Sequence, residues 1–205
     1  MKRVIFYVEG QTEEIFVKRV LQPHFEPLDI FVEPRTEGGV VSYEKTKRNI
    51  NKFLNDKSLS LLTTMFDFYG LHTTFPKNKA GKTPVDKVRN LEKKLAADIN
   101  CQRFLPYFSL HEFEAFLFVD SGVTAKVLGK VELKESINDI KKTFSSPEHI
   151  NDHPKNAPSK RIISLYPGFR KTSHGIDIVH ALGLSAIRQS CGHFHEWLCG
   201  IEQVK

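Results

Sequence analysis

Val4-Ile5-Phe6-Tyr7-Val8 is an unbroken apolar run that stops abruptly at Glu9-Gly10. Five β-branched or aromatic residues without polar alternation suit a strand buried on both faces, the kind found inside a parallel sheet. Gly10 permits a tight turn, Thr12 is read as a helix cap, and Glu13 and Glu14 then fall in the first helical turn. Glu9 is thereby placed at the carboxyl end of a central strand, the edge where open α/β sheets bind ligands. Acidic residues in a first helical turn suit the macrodipole and need no function. Glu9 is different, because it replaces the next apolar residue of a strand. With Glu13 one turn later, it offers the hard oxygen ligands that a divalent cation takes.

The same pattern returns at Leu61-Leu62-Thr63-Thr64-Met65-Phe66, a buried strand that ends at Asp67. Between the two, Leu28 to Val32 reads as a strand and Tyr43 to Leu54 as a helix, with Pro23 and Pro27 expected to break the first helix. Val85, Val88, Leu91, Leu95 and Ile99 recur by threes and fours, an amphipathic helix. Phe104 to Phe108 is a fourth strand, pushed toward an edge by Pro106. This β-α-β-α-β-α-β order winds into a mainly parallel four-stranded sheet flanked by helices, an α/β fold. From His111 onward the periodicity is helical. The expected organisation is one structural unit, an α/β core over residues 1–120 and a helical C-terminal cap over 121–205. Two carboxylates at one sheet edge raise each other's pKa unless a cation lies between them. Magnesium, or manganese in its place, is the expected occupant.

The 205 residues carry a formal charge of +6, which favours polyanionic partners without proving them. Lys77, Lys79 and Lys82 follow Asp67 on a long basic loop, where they either grip a nucleic-acid backbone phosphate or form a solvated charge run. Gly81-Lys82-Thr83 mimics the end of a P-loop, but Pro76 stands where the first glycine belongs, so nucleotide binding is rejected. Cys191, His193, His195 and Cys199 match no zinc-finger spacing, and zinc is not expected. Three cysteines suit a reducing compartment, and no apolar run approaches a membrane span; the expected location is the cytoplasm.

Val8-Glu9-Gly10-Gln11-Thr12-Glu13 resembles the first motif of the Toprim domain, shared by topoisomerases, primases and nucleases of the overcoming-lysogenization-defect class. Asp67 lies where that fold carries Asp-x-Asp, and here Tyr69 replaces the second acid. A closer resemblance is to a Toprim-like prokaryotic family labelled domain of unknown function 4276. It rests on Asp67-Phe68-Tyr69-Gly70-Leu71, His111-Glu112-Phe113-Glu114, Pro158-Ser159-Lys160-Arg161, His174-Gly175 and a final Phe-x-x-Trp.

The resemblance implies a metal-dependent nuclease of a prokaryotic defence or DNA-processing system. Glu9, Glu13, Asp67 and Glu114 would be metal ligands, and Glu112 a secondary one. On a regular helix Glu112 and Glu114 cannot face one point. Glu9, Asp67 and Lys160 would be catalytic. Arg161 would add charge neutralisation, and His111 or His174 would move protons. It further implies DNA rather than RNA as partner, and a separate ATPase of the ABC or AAA type. Two alternatives stand beside the nuclease: a non-catalytic module that binds nucleic acid or docks on the ATPase, and a small-phosphoester hydrolase.

Overall fold

The apolar run becomes the buried part of β1 (Lys2–Val8), the second strand of a wholly parallel sheet. The computed structural model describes residues 1–39, 42–76, 83–110, 112–150 and 156–204. The sheet runs β2 (Ile30–Thr36), β1, β3 (Leu61–Asp67), β4 (Phe104–Leu105), and β5 (Phe108–Ser109) pairs β3 just beyond β4. The expected mainly parallel sheet with flanking helices is therefore present. Its fourth strand is split in two at Pro106-Tyr107, since proline cannot donate to the ladder.

By internal contacts the chain divides into Met1–Leu110 with Trp197–Lys205, and His111–Glu196. In the first unit, one face of the sheet (Ile5, Tyr7, Leu62, Phe66) packs on α3 (Tyr43–Leu54) and α4 (Pro84–Ile99) through Ile50, Leu54, Val88, Leu91 and Leu95. Ser42 caps α3, and Thr83 with Asp86 forms a capping box on α4. On the other face, Phe6 meets Phe25 and Trp197. A buried large apolar side chain of this kind contributes about 1.5–3 kcal/mol.

The first helix differs from expectation at both ends. It starts at α1 (Gln11–Phe16) with Gly10, not Thr12, as the cap residue. The extended Gly10 lets the Glu13 carboxylate reach back and accept from the Gly10 N–H at 3.1 Å. Pro23 does not break the run, which passes through a π-helical turn (Val17–Leu21) into α2 (Gln22–Phe25). The wider turn precedes the proline, whose missing N–H falls in the first turn of α2, where it is tolerated. A 3-10 turn (Glu26–Leu28) then ends at left-handed Asp29.

The second unit opens with a 3-10 helix (Phe113–Phe118), followed by α5 (Ser121–Val127), α6 (Lys134–Lys142) and α7 (Pro158–Leu165). A π turn (Lys171–Gly175) leads into α8 (Ile176–Ser190), kinked at Gly183 with φ 74°. α9 (Gly192–Glu202) begins in this unit, where the buried Glu148 carboxylate accepts from the His193 and Phe194 N–H groups and caps it. No described helix is long and apolar enough to cross a membrane.

Candidate active site

Strand order fixes where a ligand can enter. The chain passes from β1 outward to β2, then returns to the other side of β1 for β3. Successive crossovers therefore leave the sheet in opposite directions between β1 and β3, opening a crevice at their carboxyl ends. Val8 pairs with Met65, so Glu9 and Asp67 both fall just past the paired residues at that crevice. They are in contact, the Asp67 N–H donating to Glu9 Oε2 at 3.3 Å. Glu9 forms no ion pair with a described residue. Asp67 Oδ1 accepts from the Tyr69 N–H at 2.9 Å, an Asx turn that fixes the carboxylate. Burial first, and then the Asp67 charge, push the Tyr69 phenol above its ordinary pKa. A tyrosine is in any case ordinarily neutral near pH 7, so the exposed Tyr69 offers no anionic oxygen to replace the missing second acid.

An open cleft lies at this edge, walled by Glu9, Glu37, Phe66, Leu71, His72 and Phe75 among others. Glu37 was not singled out by sequence. Its carboxylate is 4% exposed and meets Lys45 Nζ at 2.8 Å and Asn49 Nδ2 at 2.8 Å. Asn49 also donates to the buried Tyr7 hydroxyl at 3.1 Å, tying Glu37 to β1. The available signal was the one used for Glu9, a carboxylate following directly on a strand. It was hidden because β2 runs four residues past the expected end at Val32, through Glu33, Pro34, Arg35 and Thr36. An edge strand tolerates that polar composition.

In the second unit, Glu112 and Glu114 do share a point. Glu112 is the extended cap of the 3-10 helix rather than a member of it, so the rule for a regular helix does not apply. Lys171 Nζ lies 3.2 Å from Glu114 Oε2 and 3.7 Å from Glu112 Oε1. Glu112 also accepts from the Ser159 N–H at the start of α7, at 3.0 Å. Glu114 is 1% exposed and its Oε1 has no hydrogen-bond partner among the described residues. Burial raises its pKa, Lys171 opposes the rise and Glu112 adds to it. Sequence gave no reason to choose Lys171.

Lys160 is exposed on α7, and Arg161 Nε donates to the Asn156 carbonyl while its guanidinium lies over Phe144. His174 Nδ1 accepts from the Arg170 N–H. Burial pushes the Cys191 thiol up, and His195 Nδ1 accepts from Arg188 Nε. Lys77, Lys79, Lys82 and His111 lie outside the described residues. Among the described residues, no three His, Cys, Asp or Glu side chains gather as a metal cage.

A protein-family model matches residues 8–202. The chain belongs to the family Domain of unknown function (DUF4276). No curated protein matches this DUF4276 chain. Among solved structures, the C-terminal region of the Burkholderia pseudomallei OLD protein matches with a TM-score of 0.45 and 16% identity, covering 98% of this chain and 99% of that one. The C-terminal region of the Xanthomonas campestris pv. campestris OLD protein matches with a TM-score of 0.40 and 16% identity, covering 99% of each.

Proposed function

We propose that the protein is a magnesium- or manganese-dependent phosphodiesterase acting on nucleic acid, with Glu9 and Asp67 as the carboxylates that hold the ion. The observation that carries this is the Asp67 backbone N–H donating to the Glu9 carboxylate, which holds the two residues side by side at the sheet's switch point. Two oxygen-donor side chains fit magnesium, which is commonly bound by one or two carboxylates and keeps its other positions for water and substrate phosphates. They do not fit an ion that requires an all-protein cage. When bound, the metal would polarise the phosphate and acidify an attacking water.

The chain's own residues do the positioning. Glu9 and Asp67 concentrate negative charge at one edge, and the Tyr69 N–H keeps Asp67 from turning away. Glu13 stays beside the Gly10 turn as a further oxygen donor. By the family resemblance Glu114 is also a ligand, and Lys160 with Arg161 offsets charge on the phosphoryl oxygens. Lys171 is the lysine the fold pairs with acids inside its own unit. DNA as the polymer, a separate ATPase and a role in prokaryotic defence belong to this proposal.

Tyr69 in place of a second acid favours a second reading, a non-catalytic module that binds the polymer without cutting it. One experiment separates them. Plasmid and single-stranded DNA are incubated with the protein in magnesium, manganese or EDTA, beside Glu9→Gln, Asp67→Asn, Lys160→Met and Lys171→Met. Metal-dependent cutting lost in the two carboxylate variants supports the phosphodiesterase. Binding without cutting in every metal, also with the ATPase present, supports the module. Turnover of nucleotides but not polymers points to the small-phosphoester alternative.

A further inference from the structure

Four cations on the described helices are answered locally. Lys18 meets Glu14, Lys47 meets Glu44, Lys94 meets Asp98 and Lys142 meets Asp139, each three or four residues apart. On the outer face of α3, two cations one turn apart are not. From its middle onward the exposed positions are Arg48, Asn51, Lys52 and Asn55 at its end, one helical stripe without a carboxylate. Neither Arg48 nor Lys52 pairs with a described acid. The helix as a whole holds four cations against one carboxylate. Its first turn carries Lys45, a poor place for a cation because the macrodipole is positive there. Lys45 is held by Glu37, which lines the same cleft as Glu9. The first turn of α3 therefore stands at the cleft, and the stripe begins one turn further on and runs away from it down the helix.

We propose that this stripe carries the phosphodiester backbone of a nucleic-acid strand entering the cleft, an inference that rests on the function proposed above and assigns the polymer its path. Arg48 presents a planar fork suited to phosphate oxygens, Lys52 a second point charge, and Asn51 and Asn55 neutral donors. Arg48 and Lys52 lie one turn apart, about 6 Å along the helix. That is comparable to the gap between neighbouring phosphates of one strand, which exceeds the axial rise of about 3.4 Å per nucleotide because the backbone winds around the axis. A strand laid along α3 would meet both cations.

The test is fluorescence anisotropy with an end-labelled 20-mer, duplex and single-stranded, in EDTA so that nothing is cut, across a potassium chloride series. Wild type is compared with Arg48→Ala/Lys52→Ala and with Lys126→Ala/Lys134→Ala, which removes the same charge from exposed positions of the other unit. All are surface changes, and circular dichroism checks folding. The α3 double variant is expected to bind about tenfold more weakly. Its slope of log K against log salt should be shallower by about 1.8 on duplex or 1.4 on single strand, two phosphate contacts' worth. The control should stay close to wild type. Equal losses in both double variants, or no loss in the α3 variant, overturn the path while leaving any metal-dependent cutting by wild type untouched. No binding by wild type overturns it too. Binding that depends on α3 without cutting in any metal supports the path and removes the phosphodiesterase instead.

Discussion

Trp197 closes the first unit, and removing its indole should show how much that closure contributes. The side chain is 4% exposed, stacks on Tyr107 at 4.1 Å with an interplanar angle of 10°, and meets Phe6 edge-on at 5.7 Å. Its Nε1–H donates to Thr63 Oγ1 at 2.7 Å, and that hydroxyl donates onward to the Leu105 carbonyl at 2.6 Å. Trp197→Phe keeps an aromatic ring but deletes the N–H. The lost hydrogen bond is worth about 1 kcal/mol net. The stacked pair contributes about 0.5–1.5 kcal/mol beyond its buried area, and part of that is lost as well. The expected destabilisation is about 2 kcal/mol, against about 3–5 kcal/mol for Trp197→Ala, which also opens a cavity. Urea titrations followed by far-ultraviolet circular dichroism measure it, because the variant loses the chain's only tryptophan. Thr63→Val completes a double-mutant cycle, with an expected coupling of about 1 kcal/mol between the two positions. A coupling near zero, with Trp197→Phe costing under about 0.5 kcal/mol, would refute the view that the indole locks onto the β3–β4 pair.

Asn49→Leu cuts the link from Tyr7 to Glu37, leaving Glu37 with Lys45 alone; we expect a loss of about 1–3 kcal/mol, read in the same titrations, and weaker magnesium-dependent thermal stabilisation. Hydrogen bonds from Ser58 and then Arg3 hold the Asp56 carboxyl down at about 2. Its folded pKa is depressed, so its contribution is present above about pH 4 and lost as pH falls toward 2. Arg3→Gln should flatten that part of an acid-unfolding curve, whereas an unchanged curve would assign the acid sensitivity to other groups. Glu114 has the opposite sign: its folded pKa is raised, so its contribution favours folding at acid pH and is lost as pH rises through the shifted value. Glu114→Gln is expected to leave neutral-pH stability unchanged or higher while abolishing any metal-dependent cutting, measured by differential scanning calorimetry beside the plasmid assay.

Much of this architecture was legible because its central strands are buried on both faces. β1 carries an unbroken apolar run and β3 one interrupted only by the buried Thr63 and Thr64, and each leads to the carboxylate that the sheet then carries to its switch point. α3 matched its expected limits, and α4 began one residue earlier than its apolar periodicity. The edge strand was less legible: its expected end at Val32 left out Glu33, Pro34, Arg35 and Thr36, whose polar and proline composition hides a strand at a sheet's edge. Glu37 went unnoticed for the same reason. Lys171 could not have been found by pattern, since it meets Glu112 and Glu114 from 57 or more residues away, through a fold with no local signature. The Gly10 cap was missed because a glycine gives no capping side chain to look for.

Both flanks of the sheet carry a proline, Pro34 within β2 and Pro106 between β4 and β5. Each removes one donor from the backbone row that a stray strand would need for docking. Cross-β growth and strand exchange between copies are blunted on either side, so self-association must use side-chain surfaces. A basic protein with carboxylates at one sheet edge can in this way guard each margin with a single residue.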